Sequence, residues 1–224
     1  MIKALLYKEW LKMRWGVLSM LLLFVINIVY IILQLDYTMR MYEAHQIWYN
    51  TFIRGMLFYS GTLVYLPFLS GLVIAILQFY PEVSDNRLKL TLHLPMTELG
   101  ITLLMIGFGT AILILTYWVA YALLTLLTTI YFPMELIFSM WITSLPWFLG
   151  GLMVYWMVTA IFIEPAWKFR RILLIILAYF LVQPLITVYN YNAFAHSLTK
   201  FFILSLLTFP LFFISLDRFR KGVY

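Results

Sequence analysis

Cysteine is absent from the 224 residues, which excludes a disulfide framework, a thiolate metal site and a cysteine nucleophile, and leaves the redox compartment unmarked. Charge is scarce as well, with 11% of residues charged against 65% hydrophobic. At a mean hydropathy of +0.98, most of the chain cannot face water, so a soluble domain is excluded. Histidine occurs only at His45, His93 and His196, all in connecting stretches. Ser60, in the run YSGT, therefore has no histidine base within an apolar segment, and a serine–histidine dyad fails. Glu135 and Glu164 fall at opposite ends of one long apolar run, too far apart for a metal or protease pair.

What is present is a series of long apolar stretches. A bilayer core about 30 Å thick is crossed by roughly 20 residues in helical form, because only an internally hydrogen-bonded backbone is tolerated there. Six stretches meet that demand: 16–35, 55–80, 101–131, 136–163, 172–189 and 198–216. The reading is an all-α, polytopic membrane protein forming a single transmembrane domain over 1–224. The basic N-terminal flank resembles a signal peptide, but its apolar run is too long for one and no small-residue cleavage site follows, so it reads as an uncleaved span. The stretch 101–131 carries no proline or charge to divide it, and two spans with a turn need roughly 40 residues.

The net charge of +6 follows the same plan. Basic residues flank apolar runs rather than forming one face of a soluble module, which argues against nucleic acid. With six spans, Lys3, Lys8, Lys12, Arg14, Arg87, Lys89, Lys168, Arg170, Arg171, Arg218, Arg220 and Lys221 share one side, and only Arg40, Arg54 and Lys200 the other. The positive-inside bias then places both termini in the cytoplasm and the chain in the cell's inner (plasma) membrane. Trp15, Tyr80, Tyr131, Trp167 and Tyr189 lie near span ends, where aromatic anchors belong.

Two segments on the basic side carry pattern. Residues 1–15 form an amphipathic helix with Ile2, Leu5, Leu6, Trp10 and Met13 on one face, expected to lie in the interface as an elbow before the first span. Glu9 falls within that apolar stripe. It either snorkels to water at the stripe's edge or pairs with a cation on a cytoplasmic loop. The second segment is the loop 81–95, PEVSDNRLKLTLHLP. Its alternating leucines read as a strand by period, but no neighbouring run could pair with it. As a helix it shows two apolar rows, Leu88 with Leu92 and Leu90 with Leu94, and Asp85 four residues before Lys89. Two rows ask for burial on two sides, by the bundle and by a partner protein, unless the segment simply lies on lipid.

A basic N-terminal helix holding Glu9, a second span ending in QFYPE, and a loop carrying Arg87-Leu88 and closing at Leu94-Pro95 together resemble the permease subunits of the ABC-2 transporter family. The resemblance implies six spans with cytoplasmic ends, an N-terminal elbow helix, and a coupling helix at 81–95 seated on a cytoplasmic ATP-binding subunit. It implies that Glu82, Arg87, Leu88, Leu94 and Pro95 lie at or near that contact. The sequence departs from the family where Ser84, Asp85 and Asn86 replace a Gly-rich step, and where the outer segment NYNAFAHSLTK is short.

The predicted span interiors hold no Asp, Glu, Arg or His, and Lys200 sits in the first turn of the last span. Ion-coupled transporters use titratable groups at mid-membrane, so their lack points to an external energy source. No Gly-rich phosphate loop is present, so ATP hydrolysis would belong to another chain, which would carry the Mg-ATP. This chain is expected to bind no metal or cofactor and to be no enzyme. Its expected partners are ABC ATPase subunits, a second permease copy or paralogue, and membrane lipid. Asn27, Ser60, Thr62 and Gln183 are the polar residues singled out for a translocation path, though such residues also join helices. Gly107, Gly109, Gly150 and Gly151 are expected to allow close helix approach. The reading is an exporter subunit for amphipathic or hydrophobic cargo; the alternative is a non-transporting scaffold or sensor subunit that docks a cytoplasmic partner.

Overall fold

The computed structural model describes residues 2–41, 45, 49–51, 53, 59, 61, 63–84, 97–177 and 194–221. Within these the elements are α1 (Ile2–Met41), α2 (Tyr65–Ser84), α3 (Glu98–Thr128), α4 (Met134–Ile163), the short α5 (Trp167–Ile175), a 3-10 turn (Ala195–Ser197) and α6 (Leu198–Lys221). No strand occurs among the described residues. Five helices, α1 to α4 and α6 with its leading turn, are long and apolar enough to cross a membrane, as a multi-pass membrane protein requires. The expected span at 172–189 lies outside the described residues beyond position 177, as do Ser60, Thr62, Gln183, Arg87, Leu88, Leu94 and Pro95.

Three boundaries differ from the sequence reading. The elbow expected after residue 15 is not there: α1 runs unbroken for 40 residues, about 60 Å. No proline interrupts it, and a single glycine at 16 costs a helix only about 1 kcal/mol. The second span was expected over 55–80, but α2 starts at Tyr65, after turn geometry at residues 63 and 64, and continues through Pro81 to Ser84. Proline ended the expected span, yet within the last helical turn it forfeits one backbone bond and the chain continues helical. The stretch 101–131 is one helix, as its lack of breaks predicts.

The centre of the bundle is α4, of whose apolar window 78% is buried, against 17% for α6. Helices α2, α3 and α6 pack around it, and α1 closes the side against α2 and α3. Aromatic rings fill the middle: Phe148 of α4 lies 4.9 Å from Tyr117 and 4.4 Å from Tyr121 of α3, and 6.2 Å from Phe24 of α1. On the α6 side, Trp156 meets Phe209 at 5.4 Å and Phe79 meets Phe212 at 5.7 Å. These are edge, stacked and tilted ring contacts in a dry interior, worth more than their area alone.

Two ends are defined by contacts. The N-terminal part of α1 meets the C-terminal part of α2 through Lys12 and Glu82, and Glu164 after α4 meets Arg218 near the end of α6. This end carries Lys3, Lys8, Lys12, Arg14, Lys168, Arg170, Arg171, Arg218, Arg220 and Lys221. At the other end Arg40 pairs with Asp36 at 2.9 Å, and Tyr131 donates to the same carboxylate at 3.5 Å. Glu135 also lies there, a helix length from Glu164, so the two are separated as expected.

Candidate functional site: a buried ion and amide network at the basic end

Glu9 is on the inward side of α1, with no exposed surface. It lies among Leu5, Met13 and Gly16, which share the buried face, and cannot reach water. The snorkelling reading is therefore overturned, while the cations of the loop that Glu9 was expected to meet lie outside the described residues. Its partner is Lys12, one turn along the same helix, at 2.5 Å. The Lys12 ammonium also touches Glu82 Oε1 at 2.9 Å, and Lys8 reaches that oxygen at 2.8 Å. Among the described residues, two carboxylates and two ammoniums thus meet in one cluster. Lys8 and Lys12 face the same way because they are one helical turn apart.

Gln78 extends the cluster through the bundle. It sits four residues before Glu82, hence on the same side of α2, and is fully buried. Its amide Nε2 donates to Glu9 Oε2 at 3.0 Å and to the Met105 carbonyl of α3 at 2.7 Å. Its Oε1 accepts from the Tyr155 hydroxyl of α4 at 2.7 Å. Turned over, the amide would set oxygen against a carboxylate and a carbonyl, so these partners determine its orientation. One chain of bonds therefore runs Lys8, Glu82, Lys12, Glu9, Gln78, Tyr155 and joins α1, α2, α3 and α4. A glycine makes room for it: a methyl at Gly109 would overlap the Tyr155 hydroxyl and come 2.5 Å from Gln78 Oε1.

Low polarity makes such a network strong when complete and costly when broken. Tyr155→Phe leaves Gln78 Oε1 without its donor and is expected to destabilise by about 1–3 kcal/mol. Tyr121→Phe serves as comparison, because its partner Ser144 keeps a bond to the Met140 carbonyl at 2.8 Å. Denaturant unfolding of the solubilised protein should show the Tyr155 variant clearly less stable than the Tyr121 variant; equal losses would dissolve the inferred role of the hydroxyl.

A third buried acid stands apart. Glu164, 1% exposed, caps the corner between α4 and α5: its Oε1 accepts from the Ala166 backbone at 3.4 Å and faces Arg218 at 3.6 Å. Arg170 bonds its carbonyl, and the Arg218 guanidinium lies 3.7 Å over the Phe169 ring. This ties α6 to the corner.

Of the residues singled out in the sequence, Glu9 and Glu82 are brought together, through Lys12. Glu82, expected at or near a contact with another chain, is itself turned inward and 1% exposed. Trp10, the next residue of α1, is exposed. Asn27 is partly buried midway along α1 and lines neither of the two lateral grooves described below. Gly107 meets open space, not a neighbouring helix, so its expected packing role is withdrawn; Gly109 and Gly151 do sit at close approaches. Gln78, Lys8, Lys12, Tyr155 and Gly71 were not singled out. Their signal was a spacing: Gln78 and Glu82 one turn apart at a span end, opposite Lys8 and Lys12 one turn apart at another.

Compared with known proteins, the chain matches no family model, no curated protein and no solved structure.

Proposed function

We propose that the chain is the six-span membrane subunit of an ATP-driven, ABC-2-like exporter of amphipathic or hydrophobic cargo, working with cytoplasmic ATPases and a second permease copy or paralogue. The observation that carries this reading is the bond network at the end of α2. Helix α2 ends at Ser84, inside the segment 81–95 that resembles a coupling helix, and two and six residues earlier Glu82 and Gln78 are tied to α1, α3 and α4. A push on that segment would be passed to the bundle through bonded side chains rather than absorbed by a loose helix end. The network supplies the stiffness a lever needs.

Three further features support the reading. Basic residues collect at the network's end, which by the positive-inside bias would face the cytoplasm, where ATP is made. The middle of the described bundle is aromatic and apolar, which suits hydrophobic cargo better than ions. Chemical drive is left to a partner, because the chain has no phosphate loop of its own.

The test is co-purification. The tagged chain, co-expressed with candidate ABC ATPases, should bring one of them through purification, and Arg87→Glu with Leu88→Asp should release it. Retention of the ATPase through that double change removes the coupling assignment. Accessibility labelling that puts Met1 and Tyr224 on opposite sides of the membrane removes the six-span plan and the transporter with it.

A further inference from the structure

Lateral grooves open at both halves of the bundle, and they differ in one respect. The larger, about 490 Å³, is lined by Trp118, Tyr121, Thr125, Leu126, Trp141 and Leu145 of α3 and α4, and has no charged residue. The smaller, about 280 Å³, runs along α1 and is lined by Trp10, Arg14, Trp15, Val17, Leu18 and Leu21. Trp10, Arg14, Val17 and Leu21 recur at helical spacing and so share one face, across the helix from Lys12 and bordering the buried face at Val17. The Arg14 guanidinium is held at the rim by the Trp15 ring, 5.5 Å from its centroid. Among the described residues no carboxylate pairs with it, since Glu9 and Glu82 are engaged by Lys8 and Lys12.

We propose that this groove binds an anionic phospholipid of the adjoining leaflet, with the phosphate on Arg14, the indoles of Trp10 and Trp15 at the glycerol level, and an acyl chain along Val17, Leu18 and Leu21. The order of chemistry along α1 is the order along a lipid. Arg14 lies two residues before the apolar run that begins at Gly16, which sets it at headgroup depth, and the groove continues into the hydrocarbon. A helix from a second copy would have to bury an unpaired guanidinium to occupy the same place, which lipid avoids by bringing its own anion. The inference rests on the chain crossing a membrane and is independent of any ATPase.

Tryptophan quenching tests it on the intact chain, reconstituted in vesicles whose lipid chains are brominated. Brominated phosphatidylglycerol should be favoured over brominated phosphatidylcholine by about fivefold at the α1 groove, the factor expected for one basic residue near an anionic headgroup. Trp118 and Trp141 in the uncharged groove should show no preference. Arg14→Gln should bring the ratio to about one, Trp10→Phe with Trp15→Phe should remove the preferential signal, and Lys200→Gln, at the other end, should change nothing. A ratio of one in the unaltered protein, a preference that survives Arg14→Gln or the double tryptophan change, or an equal loss in Lys200→Gln would each overturn the site.

Discussion

Lys12→Met will destabilise the folded bundle by about 3–5 kcal/mol, the cost of leaving a buried charge without its partner. The lysine contacts both carboxylates, Glu9 at 2.5 Å and Glu82 at 2.9 Å, but their losses are unequal. Glu82 keeps Lys8 at 2.8 Å. Glu9 is left with the amide of Gln78 at 3.0 Å, a neutral donor, and has no exposed surface through which water could reach it. Adding Glu9→Gln to Lys12→Met should recover most of the loss, because a neutral amide needs no counter-charge. Denaturant unfolding of the solubilised chain, followed by tryptophan fluorescence, measures both variants. A loss under about 1 kcal/mol for Lys12→Met, as exposed ion pairs give, would mean that the cluster is wetted; failure of the second change to restore stability would mean that Lys12 acts through something other than Glu9.

That pair of variants bears on function as well as stability. The double variant removes the Glu9–Lys12 pair while Lys8 and Glu82 still join α1 to α2, so a coupling defect in it would separate the ionic character of that pair from the mere presence of the joint. Natural buried ion pairs are seldom the most stabilising choice. Here the ion pairs lie at the end of α2 that leads into the proposed coupling segment.

How much of this was legible in the residues follows from the range over which each signal acts. Long apolar runs gave α3 and α4 nearly end to end, even with Pro146 inside α4, because bilayer thickness and helical rise act locally. Pro81 misled, since a proline in a last turn forfeits little, and the same residue mid-helix would forfeit more. Glu9 was conspicuous in its apolar stripe, but its lysine partner stood three positions away and the decisive amide was 69 residues distant. Neither the stripe nor any local spacing says which of two helices a buried acid will face. Glycines show the limit most plainly: Gly107 and Gly109 sit two residues apart on one helix, and only the second has a hydroxyl and an amide pressed against it.

The same contrast yields the other large effect, at Gly71. A methyl there would run into the Gly151 carbonyl oxygen and would lie 3.1 Å from the Gly151 carbonyl carbon and 3.2 Å from the Tyr155 nitrogen. These are backbone atoms of α4 and cannot rotate aside. The approach is reciprocal, for a methyl at Gly151 would overlap the Tyr117 hydroxyl and come 2.6 Å from the Pro67 carbonyl oxygen. That oxygen accepts from Tyr117 of α3 at 3.1 Å and from Ser70 of α2 at 2.7 Å, so crowding at this point also disturbs the buried hydrogen bond that joins α2 to α3. Gly71→Leu is therefore expected to cost more than about 3 kcal/mol, above the usual range for overpacking. Gly16→Ala meets only the tip of the Leu77 side chain, which can turn away, and Gly107→Ala meets nothing within 4 Å. Gly107→Ala should gain up to about 1 kcal/mol from helix propensity, and Gly16→Ala should fall between the two. Ranking the three variants by unfolding midpoint is the test: if Gly71→Leu unfolds no more easily than Gly16→Ala, α2 and α4 are not in backbone contact, and the stiff connection from the basic end to the centre of the bundle is lost.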